Sequence, residues 1–102
     1  DYDPENEEGW IAYSELLSEL NRPFEASELI NTAMFYHPDN AEIKYRQVCY
    51  LYLSGYKQEA YERLAETRDA FPEGHAIIYD LIPSLEADDR IKSIILNKGG
   101  RS

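Results

Sequence analysis

The sequence predicts an all-α protein, a solenoid of about six helices that stack as antiparallel pairs. Its main support is a constant offset along the chain, at which Pro38 recurs as Pro72 and Ala26 recurs as Ala60. This separation of about 34 residues is here called the repeat offset. A fixed period of roughly 20 to 50 residues is typical of stacked supersecondary units. Within each period, apolar residues recur at spacings of three and four, which is the pattern of an amphipathic helix.

Length and composition indicate one globular domain. The chain has 102 residues, of which 43% are hydrophobic and 29% are charged, a balance that argues against disorder. No apolar run approaches the roughly 18 residues that a membrane-spanning helix needs. Residues 1–5 lack the basic start and the apolar stretch of a secretory signal. We therefore expect no membrane partner. Position 1 is not Met, so the question of an upstream targeting segment stays open.

The net charge and the cysteine content limit which classes of ligand and which cellular compartment are expected. The formal net charge is −10, which repels phosphate backbones and anionic lipid surfaces. Nucleic acid is therefore not expected as a ligand. The single Cys49 excludes an intramolecular disulfide and a metal site built from several cysteines. An unpaired thiol indicates a reducing compartment, and we expect the cytoplasm.

The first unit is predicted to contain two helices, over residues 7–20 and 23–36. Pro23 separates them, because proline cannot continue a preceding helix but suits the first turn of the next one. The unit closes at residues 37–40. There, Asp39 or Asn40 can cap the helix that follows.

The second unit repeats this plan, with helices predicted over residues 41–54 and 57–71. Gly55 ends the first of them, since glycine adopts the left-handed conformation without steric cost. A third unit follows, with helices over residues 76–85 and 90–97. Pro83 is expected to kink or split the first of these, and Asp88 and Asp89 are expected to cap the second.

These residues resemble the tetratricopeptide repeat family, whose unit is a helix-turn-helix of about 34 residues, the same length as the repeat offset. The likeness covers residues 7–96, nearly the whole chain. It is weaker in the second unit, where Lys44 stands in place of the early aromatic residue and Thr67 replaces the second alanine. The matching residues are Trp10, Ser14, Ala26, Ala33 and Pro38 in the first unit, Gly55, Tyr56, Ala60, Leu64 and Pro72 in the second, and Ile78, Leu81 and Ile94 in the third.

The resemblance implies a right-handed α-solenoid with the following organisation. Residues 1–6 form an N-terminal flank, residues 7–40 and 41–74 form two full units, residues 75–97 form a degenerate capping unit, and residues 98–102 form a disordered or vector-derived tail. Residues 80–91 look like the closing segment of some bacterial proteins of this family. We therefore expect the C-terminal end of a longer bacterial array.

The sequence does not indicate an enzyme. It contains no Gly-rich phosphate loop, nucleophile elbow or pair of catalytic carboxylates, and both His37 and His75 lie in predicted turns. Residues 37–39 spell the tripeptide of J-domain co-chaperones, but the preceding helix lacks the basic residues of that family. The repeat period already explains Pro38. We expect no catalytic residue, cofactor or metal.

The expected function is protein binding. In the family, the first helix of each unit lines a concave groove. That register predicts an acidic, tyrosine-lined groove that selects a basic peptide or protein segment. Arg46 is its only cation, so the clamp by which some family members hold an acidic C-terminus is not implied. The residues predicted to line the groove are Glu15, Ser18, Glu42, Tyr45, Arg46, Cys49, Tyr52, Tyr79 and Asp80.

Two alternatives to groove binding stay open. Most tyrosines can be packing residues between helices, in which case the chain is a structural C-terminal cap of a longer array with no ligand of its own. The end helices of an array also expose apolar faces. Another copy of the chain can cover such a face, which would make the chain a homo-oligomerisation module.

Overall fold

Six α-helices follow one another along residues 5–96, the part of the chain that the computed structural model describes. Within this part, 83% of the residues are helical and none lies in a strand. The prediction of an all-α fold with about six helices is therefore confirmed. The helices are α1 (Glu7–Glu19), α2 (Pro23–Tyr36), α3 (Ala41–Leu53), α4 (Lys57–Ala70), α5 (Ala76–Leu81) and α6 (Asp89–Leu96), with short 3₁₀ segments at Pro72–Gly74 and Pro83–Ala87.

Asparagine side chains cap the first helix of each full unit. The Asn6 carboxamide oxygen accepts a hydrogen bond from the Gly9 N–H at 3.2 Å. In the next unit the Asn40 oxygen accepts from the Ile43 N–H at 3.0 Å. Each bond satisfies a backbone donor that the first helical turn leaves unpaired. Of the two caps that the sequence suggested for α3, the structure uses Asn40.

The repeat offset is present in the backbone as well as in the sequence. The two capping asparagines are one pair at this offset. A second pair is Asn21 and Gly55, which follow α1 and α3 with φ of 64° and 94°. A third pair is His37 and Phe71, which end α2 and α4 with φ, ψ of −133°, 66° and −136°, 70°. The pairs α1–α2 and α3–α4 are therefore copies of one local structure.

The third unit departs from this plan. Pro83 has no N–H to donate and clashes with a continuing helix, so α5 ends at Leu81 and a 3₁₀ turn follows. The predicted helix over residues 76–85 is corrected accordingly, and the predicted split at Pro83 is observed. Helix α6 begins at Asp89 and is described to Leu96. Residues 1–4 of the predicted flank and the predicted tail at 98–102 lie outside the described residues.

The buried residues form two hydrophobic clusters, and α3 contributes to both. The first cluster, here the N-terminal core, joins α1, α2 and α3. The second, here the C-terminal core, joins α3 to α4, α5, α6 and the second 3₁₀ segment. The N-terminal core consists of Trp10, Ala26, Ile30, Ala33, Ile43 and Tyr50, and the C-terminal core of Tyr45, Val48, Cys49, Leu51, Ala60, Leu64, Ile78, Ile82, Leu85 and Ile91.

The packing order of the helices follows from these two cores. Helix α2 lies against α1 and α3, α3 also lies against α4 and α5, and α4 lies against α6. The molecule is longer than wide, with extents of 46 × 26 × 20 Å. Small residues such as Ala26 and Ala33, both fully buried, permit the close approach of α1 and α2.

Asp88 connects the third unit to the second through hydrogen bonds to its carboxylate. Its Oδ2 accepts hydrogen bonds from the hydroxyls of Tyr52 on α3, at 2.7 Å, and Tyr61 on α4, at 3.1 Å. Its Oδ1 accepts from the backbone N–H groups of Arg90 and Ile91, so the same carboxylate caps α6. Partial burial opposes ionisation of Asp88, but these hydrogen bonds outweigh it and lower its pKa. The bond to Asp88, together with burial, raises the pKa of Tyr52 to about 12.

Replacing Asp88 with Ala should lower the free energy of unfolding by about 1–2 kcal/mol at neutral pH, because the helix cap and two tyrosine partners are lost together. Since the folded-state pKa of Asp88 is depressed, its contribution is present above the ordinary carboxyl pKa and is lost as the pH falls through the folded-state pKa. The difference between wild type and variant should therefore shrink in acid. Urea titrations at about pH 7 and about pH 2.5 measure it.

Asp89→Ala is the matched control, because Asp89 is an exposed acid in the same helical turn. At neutral pH, Asp89→Ala should lower the free energy of unfolding clearly less than Asp88→Ala does. An equal cost for the two variants, or a cost for Asp88→Ala that does not change with pH, would contradict this role of Asp88.

Candidate functional site

One concave surface is shared by the first helices of all three units. It encloses about 190 Å³ between α1, α3 and α5, and is here called the three-helix groove. It brings together four of the nine residues that the sequence predicted for a groove, Glu15, Ser18, Cys49 and Asp80. The full lining is Glu15, Ser18, Glu19, Cys49, Tyr50, Leu53, Asp80 and Leu81.

The groove has an acidic rim and a mostly apolar floor. The side chains of Glu15, Glu19 and Asp80 are exposed, and they approach from α1 and α5. Leu53 is 46% exposed and presents an apolar surface between them. Carboxylates around an apolar surface favour a ligand that combines positive charge with apolar side chains.

Arg46 does not offer a free cation to this groove. Its side chain is buried, and its Nε donates to Glu42 Oε2 at 3.1 Å. A second nitrogen donates to the Tyr50 hydroxyl at 3.0 Å, and a third lies 3.7 Å from Glu15 Oε1. A buried charge is stable only when it is paired. Here two carboxylates and a hydroxyl pair with the Arg46 guanidinium. Arg46 therefore joins α1 to α3, and its prediction as a ligand-binding residue has no support from its position.

The tyrosines predicted to line the groove lie elsewhere. Tyr45 is fully buried, and its hydroxyl donates to the Phe71 carbonyl at 2.6 Å, beneath the end of α4. Tyr52 packs edge-on against Tyr61 and donates to Asp88. Both therefore serve the packing of the second and third units. The description of the groove as tyrosine-lined is corrected, because α3 is covered on the side where these rings lie.

Tyr79 and Cys49 are likewise held by the C-terminal core. Tyr79 is half-buried against that core, and burial raises its pKa, with a smaller effect of the nearby Glu86. Cys49 is fully buried, and burial raises the pKa of its thiol to about 12 although Arg46 acts in the opposite direction. Cys49 borders the groove without being exposed to solvent. A thiol in this state is not a nucleophile at neutral pH.

Sequence reasoning missed Glu19, Tyr50, Leu53 and Leu81 as groove residues. Two of these positions follow a simple rule, since Glu19 lies four residues after Glu15 and Leu53 lies four after Cys49. Residues at this spacing lie on one face of a helix. Extending each predicted helix face by one turn would have found Glu19 and Leu53.

Residues 5–96 form further depressions besides the three-helix groove. No group of three His, Cys, Asp or Glu side chains is placed to hold a metal ion in this part of the chain. None of its helices has both the length and the apolar character that crossing a bilayer requires. His37 lies 3.3 Å from Glu7, and an open depression of about 430 Å³ beside them is formed by the connection after α2.

Comparison with known proteins gives no match: no family model, no curated protein and no solved structure is similar to this chain. The resemblance to tetratricopeptide repeats thus stays a prediction. It depends on the residues of the chain and on the repeated backbone geometry described above.

Cys49 should react with a thiol reagent at pH 8 on the order of a thousandfold more slowly in the native protein than in urea, because it is buried and largely protonated. Absorbance after mixing with an aromatic disulfide reagent measures the rate. Ser18→Cys, which retains Cys49, is the control, since position 18 borders the same groove from α1. It should show one fast thiol and one slow thiol. Fast reaction of Cys49 in the wild type would mean that its thiol is accessible to reagents in the groove and would contradict this account.

Proposed function

We propose that this chain is part of an interaction scaffold of the tetratricopeptide type, a right-handed α-solenoid that binds a protein segment and catalyses no reaction. The repeated caps, the repeated left-handed residues and the fully buried Ala26 and Ala60 support two equivalent units. The single thiol, Cys49, is buried and unpaired, which suits a reducing compartment such as the cytoplasm.

The ligand proposed for the three-helix groove is a segment in which basic residues alternate with apolar ones. The observation that carries this proposal is the cavity that α1, α3 and α5 form together, with Glu15, Glu19 and Asp80 at its rim. Small-molecule sites usually enclose about 300–1,000 Å³. At about 190 Å³ the groove is smaller, and it suits one or two anchoring side chains of a larger partner.

The contacts expected in such a complex differ from those that the sequence suggested. Leu53 and Leu81 supply the apolar surface, and the buried Tyr50 also borders the groove. Lysine or arginine side chains of the ligand would reach Glu19 and Asp80, whose side chains are exposed at the rim of the groove. Charge would then govern the rate of association and selectivity more than the final affinity.

A role as the C-terminal cap of an array is the second candidate, and it is compatible with the first. The exposed residues of α6 include Asp89, Arg90, Lys92 and Ser93. A polar outer face is what the terminal unit of a solenoid requires for solubility. On this proposal the third unit closes the C-terminal core while its helix α5 still contributes Asp80 to the groove.

Charge reversal in the groove tests the binding proposal. Peptides selected from a random display library on the wild-type chain should contain Lys or Arg interleaved with Leu or Phe. The double variant Glu19→Lys/Asp80→Lys should weaken their binding at least about tenfold, because attraction to the rim becomes repulsion. Fluorescence anisotropy with the labelled peptides measures the affinity.

The control is Glu59→Lys/Glu62→Lys, which changes the net charge equally at two exposed positions of α4 outside the groove. Its effect should stay below about twofold at physiological salt, where screening removes long-range terms. Equal losses for both double variants would show that bulk charge attracts the peptides. Selected peptides without basic residues would contradict the proposed ligand.

A further inference from the structure

A small pocket lies between α2, α3 and α4, and it shares no lining residue with the three-helix groove. It encloses about 90 Å³ and is here called the α2–α4 pocket. Because it lies inside the stack of units, the ends of the chain do not form it. Helix α3 contributes Lys44 and Gln47 to its lining, and α4 contributes Arg63, Glu66, Thr67 and Ala70.

The pocket brings together two positions at which the second unit departs from the first. At the repeat offset, Lys44 replaces Trp10 and Thr67 replaces Ala33, and both replacements line the pocket. In the units on either side, the position of Lys44 is occupied by Trp10 and Ile78, which are 1% and 0% exposed. The packing of repeated units therefore does not explain a lysine here. Such exceptions to a local pattern are expected at functional sites.

The equivalent space in the first unit is filled by aromatic rings. Trp10 and Tyr36 stack there, with ring centroids 5.8 Å apart. Lys44 and Ala70 replace these two residues at the repeat offset. The second unit thus has one slender side chain and one methyl group where the first unit has two rings. The α2–α4 pocket occupies the position of the missing rings.

Hydrogen-bond donors surround the pocket. Gln47 and Thr67 are buried, with 8% and 6% of their surfaces exposed. The Gln47 amide donates to Asn31 of α2, a bond that fixes its orientation. Lys44 and Arg63 are partly buried and add two positive charges. Two cations, an amide and a hydroxyl around one small space are suited to an anion.

One carboxylate borders the pocket, but it does not close the site to an anion. Arg63 Nη1 donates to Glu66 Oε1 at 2.8 Å, and the Glu66 side chain is 70% exposed. Exposed ion pairs of this kind contribute little to stability. The guanidinium also has further N–H donors that Glu66 does not use. A ligand with more negative charge than a carboxylate can therefore compete with Glu66 for Arg63.

We propose that the α2–α4 pocket binds the phosphoryl group of a phosphate monoester. Lys44 and Arg63 pair with its charge, and the Thr67 hydroxyl donates to one of its oxygens. Such a group carries a charge of about −1.5 to −2 and three acceptor oxygens, which matches two cations and several donors better than a carboxylate does.

The size of the pocket limits the ligand. Small-molecule sites usually enclose about 300–1,000 Å³, whereas this pocket encloses about 90 Å³ and holds one phosphoryl group. The rest of the ester lies outside, as part of a protein segment or of a small molecule. The net charge of −10 on the whole chain still disfavours polyanions such as nucleic acids. The inference does not depend on any ligand of the three-helix groove.

An NMR titration of the isotope-labelled full chain with phenyl phosphate tests the proposal, with benzoate as the carboxylate control. Phenyl phosphate should shift the backbone amide of Thr67 and the Nε–H of Arg63. It should bind at least about tenfold more tightly than benzoate, because it has more charge and a further acceptor oxygen. A heptapeptide of alanines with a central phosphoserine is the third probe. Tighter binding of this peptide than of phenyl phosphate would identify a protein segment as the source of the ester, and equal or weaker binding a small molecule, both in support of the site.

Variants locate the binding. Lys44→Gln should weaken phenyl phosphate binding at least about tenfold, because a charged donor is lost. Lys92→Gln, at an exposed position of α6 outside the pocket, removes the same charge and should have less than about a twofold effect at physiological salt. Thr67→Val keeps the shape without the hydroxyl and should weaken binding at least about threefold. Lys44→Trp/Ala70→Tyr restores the two rings of the first unit and should abolish binding with unchanged helical circular dichroism.

Four results would overturn the proposal. No saturable shift at Arg63 and Thr67 would mean that the pocket binds no phosphoryl group. Equal affinity for benzoate would assign it to a carboxylate instead. Equal losses in Lys44→Gln and Lys92→Gln would show attraction by bulk charge. Undiminished binding in a folded Lys44→Trp/Ala70→Tyr chain would place the ligand elsewhere.

Discussion

Helix α3 is buried on both of its sides, and the arrangement of the other helices follows from this constraint. Ile43 and Tyr50 point into the N-terminal core, whereas Val48 and Leu51 point into the C-terminal core. A helix that is apolar around most of its circumference is stable only when neighbours enclose it. Eight of its 13 residues are buried. The pair α1–α2 encloses one side, and α4, α5 and α6 enclose the other.

Polar groups on so buried a helix must find partners inside the protein, and these partners hold the units together. Arg46 bonds to the Tyr50 hydroxyl and to Glu42, and approaches Glu15 across the contact between the first two units. The Tyr45 and Tyr52 hydroxyls bond to Phe71 and Asp88 at the contact with the later elements. Burial without such bonds would cost several kcal/mol for each group. These polar side chains of α3 therefore stabilise the fold, and the groove beside them stays acidic.

The sequence predicted the helices well because their limits depend on local residues. The first four helices begin where the sequence analysis placed them, since Asn6, Pro23 and Asn40 act within one turn of the chain, and Gly55 ends α3 by its own backbone preference. At Pro83 the position of the break was predicted. The conversion of the following turn to a 3₁₀ segment was not, because it depends on how Leu85 packs into the C-terminal core.

The groove was predicted less completely, because its lining depends on contacts between distant parts of the chain. Glu15, Ser18 and Asp80 could be placed from helical register, and the structure brings them together. Tyr45 and Tyr52 could not be placed in this way, since only the packed structure shows which sides of α3 are covered. A tyrosine with a buried hydroxyl partner and a tyrosine that lines a groove have the same pattern in the sequence. The partners, Phe71 and Asp88, lie 26 and 36 residues away.

The central claim is that α3 couples the two cores into one cooperative structure, and the chain contains a natural probe in each core. Trp10 lies in the N-terminal core and Cys49 in the C-terminal core. Trp10 fluorescence and pulse alkylation of Cys49, followed through one urea titration, should give the same midpoint within error. A lower midpoint for Trp10 than for Cys49 would show that the first unit unfolds by itself, and would contradict the coupling through α3.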